Sequence, residues 1–150
     1  MTDTARLDPL LTMPGHVLRR LHQLSTAVFQ ERIKAAGHEM TSVQYAALRT
    51  LAEHPGIDQA GLAARIAYDR ATIGGVVDRL EQKGLVERCV SPRDRRAREV
   101  RLSEQGQALF DEVRPLVDGL QDDILAGLTD KERAQFLTLG AKVIAAATRD

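Results

Sequence analysis

From Pro14 to about residue 36, apolar side chains recur at Val17, Leu21, Leu24 and Val28, a spacing that puts them on one face of a helix. Gly37 stands where that helix should stop. The next run opens with Thr41 three residues ahead of Gln44, the reciprocal pairing of a capping box, and continues through Tyr45, Leu48 and Leu51. Pro55 and Gly56 predict the turn that ends it. Asp58 can cap a short third helix through Leu62 and Ile66. Asp69 can cap a fourth that runs to Lys83, with Ile73, Val76, Val77 and Leu80 facing inward and Gly84 closing it.

After Gly84 the period changes. "LVERCV" and "AREVRL" alternate or carry β-branched residues on either side of a loop containing Pro92, so they predict a small hairpin. Ser103 then opens a long helix through Leu109, Val113, Leu116, Leu120 and Ile124, which Pro115 is expected to bend. A second capping box, "TDKE" from Thr129 to Glu132, starts a last helix through Phe136, Leu139 and Val143. The third and fourth helices are separated only by "AYD", and a hairpin follows them. That order predicts a mainly α fold with a winged helix-turn-helix lobe over 41–102. Residues 10–37 and 103–150 would supply a helical dimerization region, the whole chain 1–150 forming one unit. The apolar stripes of these flanking helices need a partner, which a second copy of the chain would provide.

Composition changes this picture in one respect. The 150 residues carry 21 basic and 21 acidic side chains, yet residues 65–102 hold ten basic against six acidic groups and residues 103–150 five against nine. A neutral total therefore hides a basic centre suited to a polyanion. Five of those cations, Arg93, Arg95, Arg96, Arg98 and Arg101, fall within one short stretch. No run reaches the roughly 18 apolar residues that span a bilayer, and the polar start "MTDTARLDP" lacks a signal-peptide core, so a cytoplasmic protein is expected, with no membrane contact. One cysteine, Cys89, excludes an intrachain disulfide framework and a Cys-rich zinc site.

The stretch "LAARIAYDRATIGGVVDRLEQKGLVERCVSPRDRRAREVRLSEQG" resembles the MarR family of bacterial transcriptional regulators. It joins, in order, a leucine-containing third helix, a recognition helix leading into the first wing strand, "DRR" at the wing tip and "VRLSEQG" at the start of the long helix. The resemblance extends over nearly the whole chain. It implies a homodimer bound to a pseudo-palindromic DNA operator, a repressor released by a small-molecule effector. "GHVLRRLHQ" and "TSVQYAAL" are most similar to regulators of aromatic-acid degradation, which implies an aromatic carboxylate as that effector.

The residues support DNA binding in their own right. A helix opened by Asp69 would project Arg70, Ala71, Thr72, Gly75 and Arg79 away from its apolar face. Arg70 and Thr72 fall in the first turn, where arginine can bond guanine in a bidentate way and threonine can offer a hydroxyl or methyl. Gly74 and Gly75 weaken the helix by about 1 kcal/mol each, a cost that close approach of backbone to DNA would explain. The wing loop, with Arg93, Asp94, Arg95 and Arg96, is narrow enough to carry arginine into a minor groove. Asp94 would repel phosphate, and is expected to pair with Arg96 and fix the loop.

Other chemistry finds less support. His16, His22, His38 and His54 lack metal-ligand spacing, so neither a metal nor another cofactor is expected. Cys89, beside Arg88 in a predicted strand, is read as a small buried hydrophobe rather than a redox-active thiol. No phosphate loop or Ser/His/Asp motif argues for an enzyme. The resemblance implies an effector pocket near the first, second and fifth helices, and His16, Arg19, Arg20, His22 and Tyr45 are the candidates to line it. Arginine would pair with a carboxylate, and His or Tyr would bond a phenol. The rival reading is a winged-helix module that binds protein rather than DNA.

Overall fold

Side-chain caps set where most of the helices begin. The computed structural model describes residues 8–66 and 69–148. After a short 3-10 turn at Pro9–Thr12 come α1 (Pro14–Ala35), α2 (Ser42–Glu53), α3 (Gln59–Ile66), α4 (Arg70–Gln82), β1 (Val86–Val90), β2 (Arg98–Leu102), α5 (Glu104–Ile124) and α6 (Asp130–Ala147). Thr41 and Gln44 form the expected capping box on α2, and Thr129 and Glu132 form the one on α6. Asp58 accepts from the Gly61 amide at 2.7 Å, Asp69 from that of Thr72 at 2.8 Å and Ser103 from that of Gly106 at 3.0 Å. Each such cap contributes about 1 kcal/mol to its helix. The turn expected at Ala67 and Tyr68 lies outside the described residues.

The core is aliphatic, with aromatic rings at one end. Leu48, Leu51, Leu62, Ile73, Val77 and Leu80 from α2, α3 and α4 are essentially inaccessible, and Val100 of β2 closes the same cluster. Phe29, Tyr45 and Phe110 carry it into the space between α1, α2 and α5, with ring centroids 6.4 and 5.9 Å apart. The fold is therefore a mainly α winged helix-turn-helix with flanking helices. The wing is an antiparallel pair in which Val86 faces Leu102 and Val90 faces Arg98. It is tied to the helices by the Val100 amide donating to the Ile57 carbonyl at 2.9 Å, beside an isolated bridge between Asp58 and Glu99.

One junction links this lobe to α5. The Ser103 amide donates to the Leu85 carbonyl at 3.0 Å, and its hydroxyl donates to the Gly84 carbonyl at 2.6 Å. Gly106 then lies so near that a Cβ at this position would fall 1.9 Å from the Leu85 carbonyl oxygen. The helix can meet the root of the wing only because residue 106 has no side chain.

Helix α6 differs from the rest in having no buried residue. Phe136, Leu137, Leu139, Val143 and Ile144 are all exposed, as are Leu10, Leu11, Met13, Leu18 and Leu24 near the other end of the chain. Helix α5 continues through Pro115 as one element.

Candidate nucleic-acid interface

The recognition helix takes its orientation from its buried side. Ile73, Val77 and Leu80 are sunk in the core and Val76 is half-buried, which leaves Arg70, Ala71, Thr72, Gly75 and Arg79 exposed. The Asp69 carboxylate accepts from both the amide and the hydroxyl of Thr72, and these hydrogen bonds hold its carboxyl below the usual range. The Thr72 hydroxyl is therefore committed as a donor, and it presents acceptor lone pairs and a methyl to a ligand. A Cβ on Gly75 would meet nothing within 4 Å, so packing inside this chain does not account for that glycine.

Open depressions flank the helix. One, of about 280 Å³, is bordered by Arg70 together with Arg96 and Arg98 of the wing, so α4 and the wing present cations to the same space. The other, of about 240 Å³, lies between α4 and the start of α2 and is lined by Thr41, Gln44, Thr72, Gly75 and Arg79. The exposed edge of α4 thus stands as a ridge, a shape that suits entry into a groove.

At the wing tip Arg93, Arg95 and Arg96 are all exposed. Asp94 does fix this loop, although by a different contact from the one expected. Its carboxylate accepts from the Arg96 backbone amide at 3.0 Å and its carbonyl from the Ala97 amide at 3.0 Å. The turn satisfies Asp94 locally and leaves the Arg96 guanidinium out of that bond. The remaining cations of the stretch divide by strand position. Arg98 faces the depression shared with Arg70, whereas Arg101 lies against Gly56 and pairs with Glu99 at 3.5 Å.

Cys89 requires a correction. It is exposed, because the outer face of a two-stranded hairpin has nothing packed over it. Its neighbour Arg88 points the other way, toward α4. There it bonds Asp78, reaches Glu81 at 3.1 Å and approaches Gln59 of α3 at 3.4 Å. With its side chain only 17% exposed, Arg88 joins the wing to both helices of the helix-turn-helix. The hydrogen bond from Arg88 also holds the Glu81 carboxyl below its ordinary range. The sequence reading named Arg88 only as the neighbour of Cys89 and missed this role, whose signal was a basic group on the strand face it shares with Val86 and Val90.

Replacing Arg88 with Ala is expected to cost about 1–2 kcal/mol of stability, between the values for exposed and buried pairs. It should also weaken operator binding about tenfold, because α4 and the wing lose their common register. Lysine should not restore the affinity, since an ammonium lacks the planar guanidinium that grips Glu81 from two nitrogens while the third reaches Gln59. Urea unfolding and DNA titration of both variants check this. Normal DNA affinity in a destabilised Arg88→Ala protein would remove the positioning role.

A second site lies between the lobe and the flanking helices. Ser42, Tyr45 and Arg49 repeat along one face of α2 and meet Ser25 and Phe29 of α1 and Gln121 of α5 around a cavity of about 270 Å³. Tyr45 is 6% exposed, and its hydroxyl is buried without a hydrogen-bond partner. Burial pushes the phenol above its usual pKa, so it stays protonated and able to donate. Ser25, Gln121 and Ile124 also border an adjoining cavity of about 480 Å³ lined by His22, Arg133 and Phe136. Of the five residues expected around an effector, Tyr45 and His22 line these spaces, whereas His16, Arg19 and Arg20 line neither. Arg19 donates to His16 Nδ1 at 3.2 Å on the exposed side of α1.

The sequence matches the family model described as "MarR family" over residues 40–97. The chain is 38% identical over 130 residues to the HTH-type transcriptional repressor NicR of Pseudomonas putida, covering 87% of this chain and 81% of that one. Its fold is similar to that of the PcaV transcriptional regulator of Streptomyces coelicolor, solved with its natural ligand, at a TM-score of 0.85 and 34% identity, covering 94% of this chain and 98% of the other. It is also similar to Bordetella bronchiseptica BpsR, whose structure addresses regulation of DNA binding by 6-hydroxynicotinic acid, at a TM-score of 0.83 and 30% identity, covering 92% and 95%. The recognition-helix ridge, the basic wing and this agreement over nearly the full length lead to one conclusion: the chain belongs to the MarR family of transcriptional regulators.

Proposed function

We propose that this regulator is a homodimeric, cytoplasmic repressor without enzymatic activity, which binds a pseudo-palindromic operator and releases it when a small aromatic acid binds. The observation that carries DNA binding is the shared placement of Arg70, Arg96 and Arg98 around one depression between recognition helix and wing. Arg70, Ala71, Thr72, Gly75 and Arg79 would meet base edges and backbone in the major groove. Arg93, Arg95 and Arg96, on a loop fixed by Asp94, would follow phosphates or enter the minor groove. Dimerization is supported by the exposed apolar residues of α6 and of the N-terminal segment, which a monomer would leave in water. Two-fold pairing would set the recognition helices about 10 base pairs apart. No helix among the described residues is long and apolar enough to cross a membrane.

The effector reading rests on the unpartnered Tyr45 hydroxyl in a cavity sized for a single-ring molecule, and on the 6-hydroxynicotinic acid named for BpsR. Tyr45 and His22 would be its polar contacts. An acid that prefers one separation of the two lobes would shift the dimer away from the state that fits DNA.

Separate Arg95→Ala and Arg96→Ala proteins test the wing. Each is expected to weaken operator and random DNA by similar factors and to lower the slope of log affinity against log salt by about 1. Unchanged slopes in both variants would sink the wing assignment. Light scattering of the free protein tests the dimer, and a monomer at micromolar concentration would contradict it.

A further inference from the structure

Gln44 stands at the start of α2 with only 6% of its surface exposed, yet its carboxamide is half used. Its Oε1 accepts from the Thr41 amide at 3.1 Å, and the Thr41 hydroxyl accepts from the Gln44 amide at 3.1 Å. The capping box therefore fixes the carboxamide with its oxygen toward Thr41, and the Nε2 group keeps two N–H donors with no acceptor among the described residues. That nitrogen is not sealed in the core, because among the described residues Tyr45 Oη alone is both sealed and unpartnered. Its outlets are the two depressions that Gln44 borders: the one that holds Thr72 and Gly75, and a neighbour of about 500 Å³ at the end of α1. Thr41 and Arg79 border the same two, so all three side chains share one rim.

All three are donors. The Thr41 hydroxyl already accepts one bond and has its own proton to give. Arg79 is exposed, and the acids beside it on α4, Asp78 and Glu81, are engaged by Arg88, which leaves its guanidinium without an ion pair among the described residues. The first amides of α2 add the positive end of a helix. No carboxylate borders the depression at Thr72, and Glu39 borders only the neighbour, together with Lys83. Such a set is complementary to an anionic oxygen. Its place identifies the anion. The depression adjoins the reading face of α4 at Thr72 and Gly75, on the other flank from the depression of Arg70, Arg96 and Arg98. A helix in a major groove runs between two phosphate strands, one along each flank. We infer that this rim seats a phosphodiester of the DNA strand opposite the wing, held by Gln44 Nε2, the Thr41 hydroxyl and Arg79. The start of α2, outside both recognition helix and wing, then becomes a second grip on the backbone and sets how α4 lies in the groove. Arg79 is thereby a phosphate contact and reads no base. This inference rests on the DNA-binding reading above.

Gln44→Glu is the discriminating variant, because glutamate at this position keeps the capping box and exchanges the free N–H donors for a carboxylate oxygen. It and Arg79→Gln are compared with the full-length wild type by titration at several salt concentrations, against an inverted repeat selected by the protein from random DNA and against a random duplex. Each variant should lose affinity for both duplexes by the same factor, at least about tenfold for Gln44→Glu, and Arg79→Gln should lower the slope of log affinity against log salt by about 1. Replacing single phosphates of the repeat by neutral methylphosphonates should reveal one position per half-site, on the flank away from the wing, that weakens wild type but costs Arg79→Gln nothing further. Thermal melts show whether each variant folds, and if Gln44→Glu melts early the methylphosphonate comparison with Arg79→Gln decides. Full affinity in a folded Gln44→Glu protein would overturn the inference and leave DNA binding by α4 and the wing intact. So would a loss confined to the selected repeat, which would make Arg79 a base contact, or methylphosphonate losses that are identical in wild type and Arg79→Gln. Wild type that binds no duplex would overturn the inference and the DNA-binding reading together.

Discussion

Gly106→Ala should destabilise the protein by about 3 kcal/mol, the upper part of the range for overpacking a tight contact. The sign is informative because helix propensity alone predicts the opposite, alanine being better than glycine in a helix by about 1 kcal/mol. The steric term wins here because the new Cβ would fall 1.9 Å from the Leu85 carbonyl oxygen, a backbone atom that no rotamer change can move. Helix α5 would have to withdraw, and the Ser103 bonds to Leu85 and Gly84 would break with it. Urea unfolding at matched protein concentration checks the prediction, the matching being needed because the proposed dimerization would couple stability to concentration. Stability equal to or above that of the native protein would show that α5 does not approach the wing root this closely. Gly75→Ala is the control. Its Cβ meets nothing in the chain, so folding should be unharmed, and any loss should appear only in DNA affinity.

The second large effect is expected at Arg70. Its replacement by alanine should weaken operator binding by roughly 10- to 100-fold, corresponding to one lost bidentate base contact. Binding to random DNA should change much less. Arg70 is exposed at the first position of α4, and nothing in the core depends on it, so urea unfolding should be unchanged. Competition titrations of operator against random duplex measure the ratio directly. Equal loss on both DNAs would reassign Arg70 to phosphate, and no loss on either would remove it from the interface.

The helix starts were readable because each is decided by neighbours in sequence. Thr41 with Gln44, Thr129 with Glu132, and the caps at Asp58, Asp69 and Ser103 all act within three residues. The exposed set on α4 followed from the same local logic, as the complement of Ile73, Val77 and Leu80. What remained hidden depends on contacts distant along the chain. Alternation in β1 separates its two faces without saying which is covered, and so Cys89 was assigned to the wrong one. Arg88 resembles an ordinary surface cation until α4 brings up its carboxylates. Gly106 has no local reason to be glycine, and only the approach of Leu85 supplies one. Of the residues that the family resemblance suggested around an effector, Arg19 and Arg20 of α1 border neither cavity, whereas His22 and Tyr45 do.

Selection from a pool of random DNA duplexes on the purified full-length protein tests the central claim most directly, since it assumes nothing about where an operator lies. Sequence-specific binding by a two-fold dimer predicts enrichment of one inverted repeat with half-site centres about 10 base pairs apart, bound at least about 10³-fold more tightly than random duplex and with a steep salt dependence. A pool that stays unenriched, with weak binding that varies little with salt, would contradict it and favour a winged helix whose partner is another protein.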